Sequence, residues 1–510
     1  MSKKHIILLI FILLKFVLQY FAINPVYELH RDEFLHLDLG KHLAWGYTSV
    51  PPVTAWISFI IIHLGNSVFW VKFFPALFGA LTMVVVWKTI EELNGKLFAL
   101  ILGSVSVTFS ALLRINTLYQ PNSLEYLLWT TVFFAVVKYI NSENNKWLWV
   151  ASVTFAFGFL NKYNIAFLIL GLLPALLITS HRKILVNKQL YFSLLLALMI
   201  ISPNLIWQNK NDFPVFHHLK TLAETQLVNV NRFDFLKEQL LFFTGSLFVI
   251  VLAFVSFFVY APFKKYQIFF WSTVFTLAIF TYFKAKSYYA IGLYPILLAF
   301  GSVYLEKLLS KGWLRYLQPV ALLIPIALIV LIFQYVLPVL SPEGIIKKSE
   351  VFEKIGLLRW EDGKNHELPQ DFADMLGWKE LAGIVDEVFE TIEDKENTII
   401  HCDNYGQAGA INFYSIQKYT QAVSMNADYI NWYPLDEMEI KNVILVKGIY
   451  DKDKNRDRER AFFESVTLVG EITNQYAREK GTLVYLLKNA KISVNDILKE
   501  EILERKNNNY

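Results

Sequence analysis

Apolar runs of roughly the length a bilayer demands of a helix recur through the first 340 residues of this 510-residue chain. They lie near 6–23, 67–87, 97–113, 124–140, 147–161, 163–180, 190–207, 240–261, 267–283, 288–306 and 316–337. A chain so patterned has few options, because in lipid every backbone polar group must find a partner within the protein. Composition agrees: 55% of residues are hydrophobic and 18% charged, against about a quarter charged in soluble domains. The expectation is an α-helical polytopic membrane protein of about eleven spans. Lys3 and Lys4 before the first run resemble a signal peptide. With many further spans and no clear small-residue cleavage site, an uncleaved anchor is the better reading. Lys15, inside that run, is expected to face other helices or a cavity rather than lipid.

The basic residues orient the spans. One set of short loops holds Lys3, Lys4, Lys88, Lys96, Lys138, Lys146, Arg182, Lys183, Lys188, Lys264, Lys265, Lys307, Lys311 and Arg315. The opposite set is about twice as long yet poorer in Lys and Arg, so the first set is read as cytoplasmic. The stretch after the first span, the loops at 114–123 and 208–239, and everything after 340 then lie outside. The net charge of +4 gives no hint of nucleic-acid binding. A single cysteine, Cys402, excludes an internal disulfide.

From about residue 341 charged residues become frequent, and short β-rich runs appear: "NTIIHC", "NVILVK", "VTLVGEI" and "TLVYLLK". Between them, "FADMLGWKELAGIVDEVFETI" is apolar at helical spacing. Residues 1–340 are read as the membrane domain. Residues 341–510, long enough to bury a core of their own, are read as an extracytoplasmic α/β domain joined through "LPVLSPEG".

The first outer loop, "ELHRDEFLHLDLGKHLAWGYTSVPP" (28–52), crowds four acids, three histidines and two bases against the membrane surface. On a helix Asp32 and His36 share a face, as do Asp38 and His42. Asp38, Lys41 and His42 read as ion pairs on an interfacial helix, and the histidines show no metal-ligand spacing. Asp32 and Glu33 are different: adjacent acids at the mouth of a membrane bundle suit a site that holds a cation or takes a proton. The second loop, "RINTLYQPNSLEY", is flanked by Arg114 and Glu125 around a rigid polar turn. Further outer turns, "FLNKYN" and "FKAKSYYAIGLYP", add Lys162, with no acid nearby in sequence, and Lys284, Lys286, Tyr288 and Tyr289. Singly, such lysines are explained as snorkelling anchors. Together they outline an outward-facing pocket, acidic on one side and basic on the other. Lysines would hold a lipid-linked phosphate there while a carboxylate acts on the attacking group. In that pocket Arg114 stands with Lys162 and Lys286 toward the donor phosphate. Glu125, His217, Tyr288 and Tyr289 stand toward the substrate.

The segment "RDEFLHLDLGKHLAWGY…PPVTAWI" resembles the first outer loop of the polyprenol-dependent glycosyltransferases with the C-type fold. That superfamily contains protein O-mannosyltransferases and bacterial aminoarabinose transferases. The likeness continues at "YQPNSLEYLLW", "GFLNKYNIAFL", "SPNLIWQNKNDFPVFHHL", "KAKSYYAIGLYPILLAFG" and "NYGQAGAINFY". The order of these motifs is more specific than any one of them. The resemblance implies the C-type membrane fold, a plasma-membrane enzyme, a polyprenyl-phosphate-sugar donor, and a protein, lipid or envelope-glycan acceptor. It implies that Asp32, with Glu33 beside it, is the first-loop acid that acts as base or helps hold a metal. Lys162 and Lys286 match the basic residues near the donor phosphate. A divalent metal, Mg or Mn at Asp32, is the one cofactor it allows. The second-loop acid of many members has no clean partner here: Asn122 stands near it and Glu125 is the closest carboxylate. Aminoarabinose transferases carry Glu-Lys-Pro where this chain has Val50-Pro51-Pro52, which departs from that branch's metal site and from its lipid A acceptor.

The expected activity is transfer of a sugar from the lipid phosphate to an acceptor on the outer side, by one inverting displacement. A transporter or flippase of lipid-linked sugars would also need basic residues, but the chain lacks the paired halves and matching broken spans that many transporters show. A non-catalytic scaffold of an envelope complex is the third reading. The basic loops also make a direct forecast: a reporter fused at residue 345 will be active on the extracytoplasmic side, and one at Lys264–Lys265 in the cytoplasm. Cytoplasmic activity at 345 would overturn the orientation.

Overall fold

The computed structural model describes residues 2–225, 227–417 and 421–509. Each of the eleven apolar runs contains a helix, but the helices are of unequal length. Six are long and apolar enough to cross a membrane: Lys3–Phe21, Val68–Glu92, Pro121–Ser142, Lys188–Lys210, Ser287–Leu308 and Gly312–Val336. Two bent pairs, Ile165–Ile178 with Ser180–Val186 and Arg232–Leu241 with Thr244–Val259, raise the number among the described residues to eight. Leu97–Thr108, with 12 residues, rises only about 18 Å, short of a hydrocarbon core of about 30 Å. Hydropathy marks where a helix is apolar and does not register where its backbone breaks.

The most enclosed segment is Tyr294–Leu308, buried without interruption from Tyr294 to Val303. Its Gly301 lies against the Val249 carbonyl so closely that a Cβ would come within 1.9 Å of that oxygen. Large aromatics, among them Trp87, Trp129, Phe133, Phe269 and Phe300, fill the surrounding core. Lys15 is buried as expected, with Nζ 3.5 Å from the Leu112 carbonyl oxygen.

After residue 340 the chain forms a five-stranded sheet: β1 (Thr398–Cys402), β2 (Val423–Ser424), β3 (Asn442–Lys447), β4 (Phe463–Glu471) and β5 (Leu483–Ala490). The order is β2-β1-β3-β5-β4, with β1, β2 and β3 mutually parallel and β3-β5-β4 antiparallel. The four β-rich runs of the sequence are β1, β3, β4 and β5. The two-residue β2 is too short to leave a periodic signal. The helical stretch at 372–392 divides at Gly377, whose φ of +85° begins a new helix, Trp378–Glu390.

This sheet and the loop at 28–52 share one core. Phe34 packs edge-on to Trp378 and Tyr414, each with ring centroids 5.7 Å away, and Phe34, Leu37 and Tyr119 lie in the same cluster as Ile411 and Tyr429. Glu28 Oε2 accepts from the Trp378 and Lys379 N–H groups at 2.7 and 3.0 Å, satisfying a helix start that Gly377 cannot cap. Asp38 accepts from Asn412 and Tyr429 and pairs with Lys41 at 2.9 Å. His42 does not pair with Asp38; it stacks on Trp432 and hydrogen-bonds Gln421. The loop is therefore the floor on which the C-terminal residues sit.

His36, buried in that floor, has its pKa lowered to about 4, because burial disfavours the imidazolium more than Asp32 and Glu33 favour it. Its unfolded value is about 6.5, so the folded protein binds fewer protons between the two. The stability this contributes is complete above pH 6.5 and is lost as pH falls toward 4, on the order of 3 kcal/mol at most. Thermal unfolding in detergent should therefore show a decline over that window that is shallower in His36→Gln. An identical decline in the variant would remove His36 from the effect.

Candidate active site

The site starts where the first loop turns into the helix Arg31–Leu39. His30 caps that helix: its Nδ1 accepts the Asp32 N–H at 3.2 Å, and Glu33 reaches back to the His30 N–H at 2.7 Å. Adjacent positions on a helix point about 100° apart, and the two acids go to different environments. Glu33 is fully buried, its oxygens both 2.7 Å from the Lys72 ammonium and one also 2.7 Å from the Tyr119 N–H. Asp32 keeps 37% of its side chain exposed. Its Oδ1 accepts from the Tyr405 hydroxyl at 2.7 Å and its Oδ2 from Gln120 Nε2 at 3.2 Å. Burial alone would raise the Asp32 pKa, but His30, the Tyr405 hydrogen bond, Arg31 and His36 together hold it below the usual carboxylate range.

From Asp32 a row of hydrogen bonds runs across the mouth of the bundle. Gln120 Oε1 accepts from Asn122 Nδ2 at 3.0 Å, and Asn122 Oδ1 accepts from the Lys162 ammonium at 2.7 Å. Lys162 also pairs with Glu125 at 3.2 Å. Glu125 in turn accepts from Asn164, which also donates to the Tyr289 carbonyl. The Lys162 ammonium sits over the Tyr289 and Tyr288 rings, 4.3 and 5.4 Å from their centroids. Lys162, without an acid nearby in sequence, thus has one in space: Glu125 comes from the start of the helix Pro121–Ser142, 37 positions earlier in numbering.

Lys286 stands at the head of the Ser287–Leu293 turn, and its ammonium makes no hydrogen bond or ion pair among the described residues. It faces His218, whose pKa is lowered by burial and then by the charge of Lys286. His217 is carried beside His218 on the helix Pro214–Thr225. Arg114 is committed elsewhere. It donates to Thr117 at 2.9 Å and to Asp371 at 3.2 Å and lies over the Phe372 ring, stitching the second loop to the C-terminal residues.

Tyr405, Gln120 and Lys72 carry the geometry, although none of them is among the site residues expected from the sequence; Gln120 and Tyr405 lie in the motifs "YQPNSLEYLLW" and "NYGQAGAINFY", and Lys72 in none. Tyr405 lies 373 positions from Asp32, a separation no local spacing can bridge. Lys72, an ammonium inside an apolar run, is the kind of residue that needs a partner. Among the described residues no three His, Cys, Asp or Glu side chains converge as metal ligands. At Asp32 the donor set is one carboxylate beside a phenol and an amide, and Glu33 is taken by Lys72. It does not fit a divalent cation such as Mg or Mn, which wants several oxygen ligands.

Residues 49–207 match the family model described as dolichyl-phosphate-mannose-protein mannosyltransferase. No curated protein matches the sequence. Among solved structures the chain is similar to ArnT from Cupriavidus metallidurans bound to undecaprenyl phosphate, with 12% identity, a TM-score of 0.62, and 95% and 98% of the two chains covered. The apo state of the same protein gives 11% identity and a TM-score of 0.61 over the same shares. By fold along almost its whole length, and by family match over residues 49–207, the chain resembles the C-type membrane glycosyltransferases that use polyprenol-phosphate-linked donors.

Proposed function

We propose that the protein is an integral membrane glycosyltransferase that takes a sugar from a polyprenyl-phosphate donor and passes it to an acceptor hydroxyl on the extracytoplasmic side. Residues 1–340 form its membrane domain in this reading, and residues 341–510 the extracytoplasmic α/β part that roofs the site. The observation that carries the reading is the hydrogen-bonded row from Asp32 to Lys162, a carboxylate and an ammonium held at opposite ends of one polar mouth. The half-exposed Asp32 is the group an acceptor can reach, whereas the saturated Glu33 has no free lone pair for catalysis and serves to hold the loop.

The acceptor oxygen attacks the anomeric carbon from the face opposite the phosphate and its proton passes to Asp32. As that bond forms, the carbon–oxygen bond to phosphate breaks and its electron pair leaves on the polyprenyl phosphate, with inversion. Lys162 and Lys286 neutralise the departing phosphate. Lys286, which pairs with no carboxylate among the described residues, is the freer of the two to bind it. Arg114, bound to Asp371, belongs in this reading to the wall of the site rather than to the phosphate.

Purified protein given a labelled polyprenyl-phosphate sugar and envelope acceptors should form product. Movement of the donor across the bilayer without transfer would instead identify a flippase. Asp32→Asn is expected to leave the protein folded and donor-binding while lowering turnover about 100-fold or more, and near wild-type turnover would take Asp32 out of the chemistry.

A snorkelling lysine tolerates arginine, whereas a compact ammonium on a phosphate does not. Lys162→Arg and Lys286→Arg should each reduce the rate, roughly 10- to 150-fold for one charge-assisted hydrogen bond missing from the transition state. The reduction should persist with a short-chain donor. Full activity in both variants would show these residues to be anchors.

A further inference from the structure

The parallel strands β1 and β3 lie side by side, but the chain leaves them in opposite directions. After β1 it crosses through the helix Tyr405–Tyr414 to β2 on one side. After β3 it goes on to β4 and β5 on the other. Divergence at the carboxyl ends of adjacent parallel strands opens a crevice suited to ligands. A cavity of about 610 Å³ occupies that place, lined by Asp403 and Asn404 after β1, Gly448 and Tyr450 after β3, and Arg31 from the first outer loop. The volume lies within the roughly 300–1,000 Å³ of small-molecule sites.

The lining selects a chemistry. Carboxylates (Glu361, Asp362, Glu367, Asp403, Glu479) outnumber cations (Arg31, Arg478, Lys480), so the wall favours neither a polyanion nor an acyl chain. Tyr450, at the mouth, is 86% exposed, and Tyr476 is a second aromatic side chain in the lining, whereas the Trp360 ring is already stacked on His366 with centroids 3.7 Å apart. The Nε–H of Arg31 is buried and carries no hydrogen bond among the described residues. Aromatic faces beside planar donors and acceptors match a sugar ring, with its apolar C–H face and hydroxyl rim. An extended peptide would instead seek a free strand edge, and this cavity lies over strand ends.

The cavity shares a wall with the candidate catalytic acid. Arg31 precedes Asp32, and the Arg31 guanidinium lies 4.7 Å from the centroid of the Tyr405 ring, whose hydroxyl donates to Asp32. We infer that the acceptor is an oligosaccharide, and that this cavity binds its inner sugar units while its terminal hydroxyl is presented to Asp32. This rests on the transferase reading given above and adds the acceptor class.

The test uses the full-length protein in detergent, without donor, titrated with cellotetraose, chitotetraose, maltotetraose and mannotetraose by calorimetry. At least one should bind. Its Kd should rise about tenfold or more in Tyr450→Ala and hold in Tyr450→Trp, which keeps a stacking face at a position too exposed to affect folding. Binding by none of the four, or binding indifferent to Tyr450, overturns the inference. So does tighter binding at the same place by a serine- and threonine-rich peptide. Undecaprenyl phosphate binding and the Asp32→Asn turnover, measured in parallel, report on the transferase reading alone, so either idea can fail without the other.

Discussion

Everything at the mouth of the bundle depends on the buried pair between Glu33 and Lys72. A carboxylate with no exposure and an ammonium drawn from an apolar helix would each be costly alone, and breaking such a pair typically costs about 3–5 kcal/mol. The pair does more than cancel charge. Glu33 also caps its own helix and holds the Tyr119 N–H, while Lys72 donates to the Thr117 carbonyl at 3.0 Å. One carboxylate thus fixes the first loop, the second loop and the helix Val68–Glu92 relative to one another. With that frame set, Asp32 has no freedom to turn inward, and Gln120 and Asn122 fall into line between it and Lys162.

Two neighbouring acids therefore receive opposite tasks from the helix that carries them. The pattern "RDEF" marks a candidate site, but it does not say which acid is buried, because the answer depends on Lys72 and Tyr119 arriving from elsewhere. Similarly, the lysine of "FLNKYN" looks isolated until Glu125 reaches it across a helix pair. Helix positions are readable because hydropathy is local. Span breaks are not: the apolar run read at 240–261 continues across the bend at Phe242–Phe243, because a polar step as short as "TGS" also occurs inside unbroken helices.

The C-terminal residues are readable as strands and helices, but their relation to the first loop is not. Phe34 alone touches Trp378, Phe413 and Tyr414, and nothing in "EFLHL" distinguishes a side chain packed under a sheet from one packed against lipid. A boundary drawn at residue 340 follows composition. The core does not respect it: residues from 27 to 71 and from 345 to 486 form one apolar cluster. Removing the C-terminal residues would bare the floor of the site as well as its roof.

The row between Lys162 and Asp32 has a direction. Lys162 donates to Asn122, Asn122 to Gln120 and Gln120 to Asp32, so both amide dipoles point the same way. Aligned dipoles polarise one another, and the row acts as an ion pair stretched through two amides. An anion that draws the ammonium toward itself withdraws positive potential from the carboxylate at the far end. Occupancy at the lysine is thereby felt as basicity at the aspartate, with no backbone movement needed to carry the message.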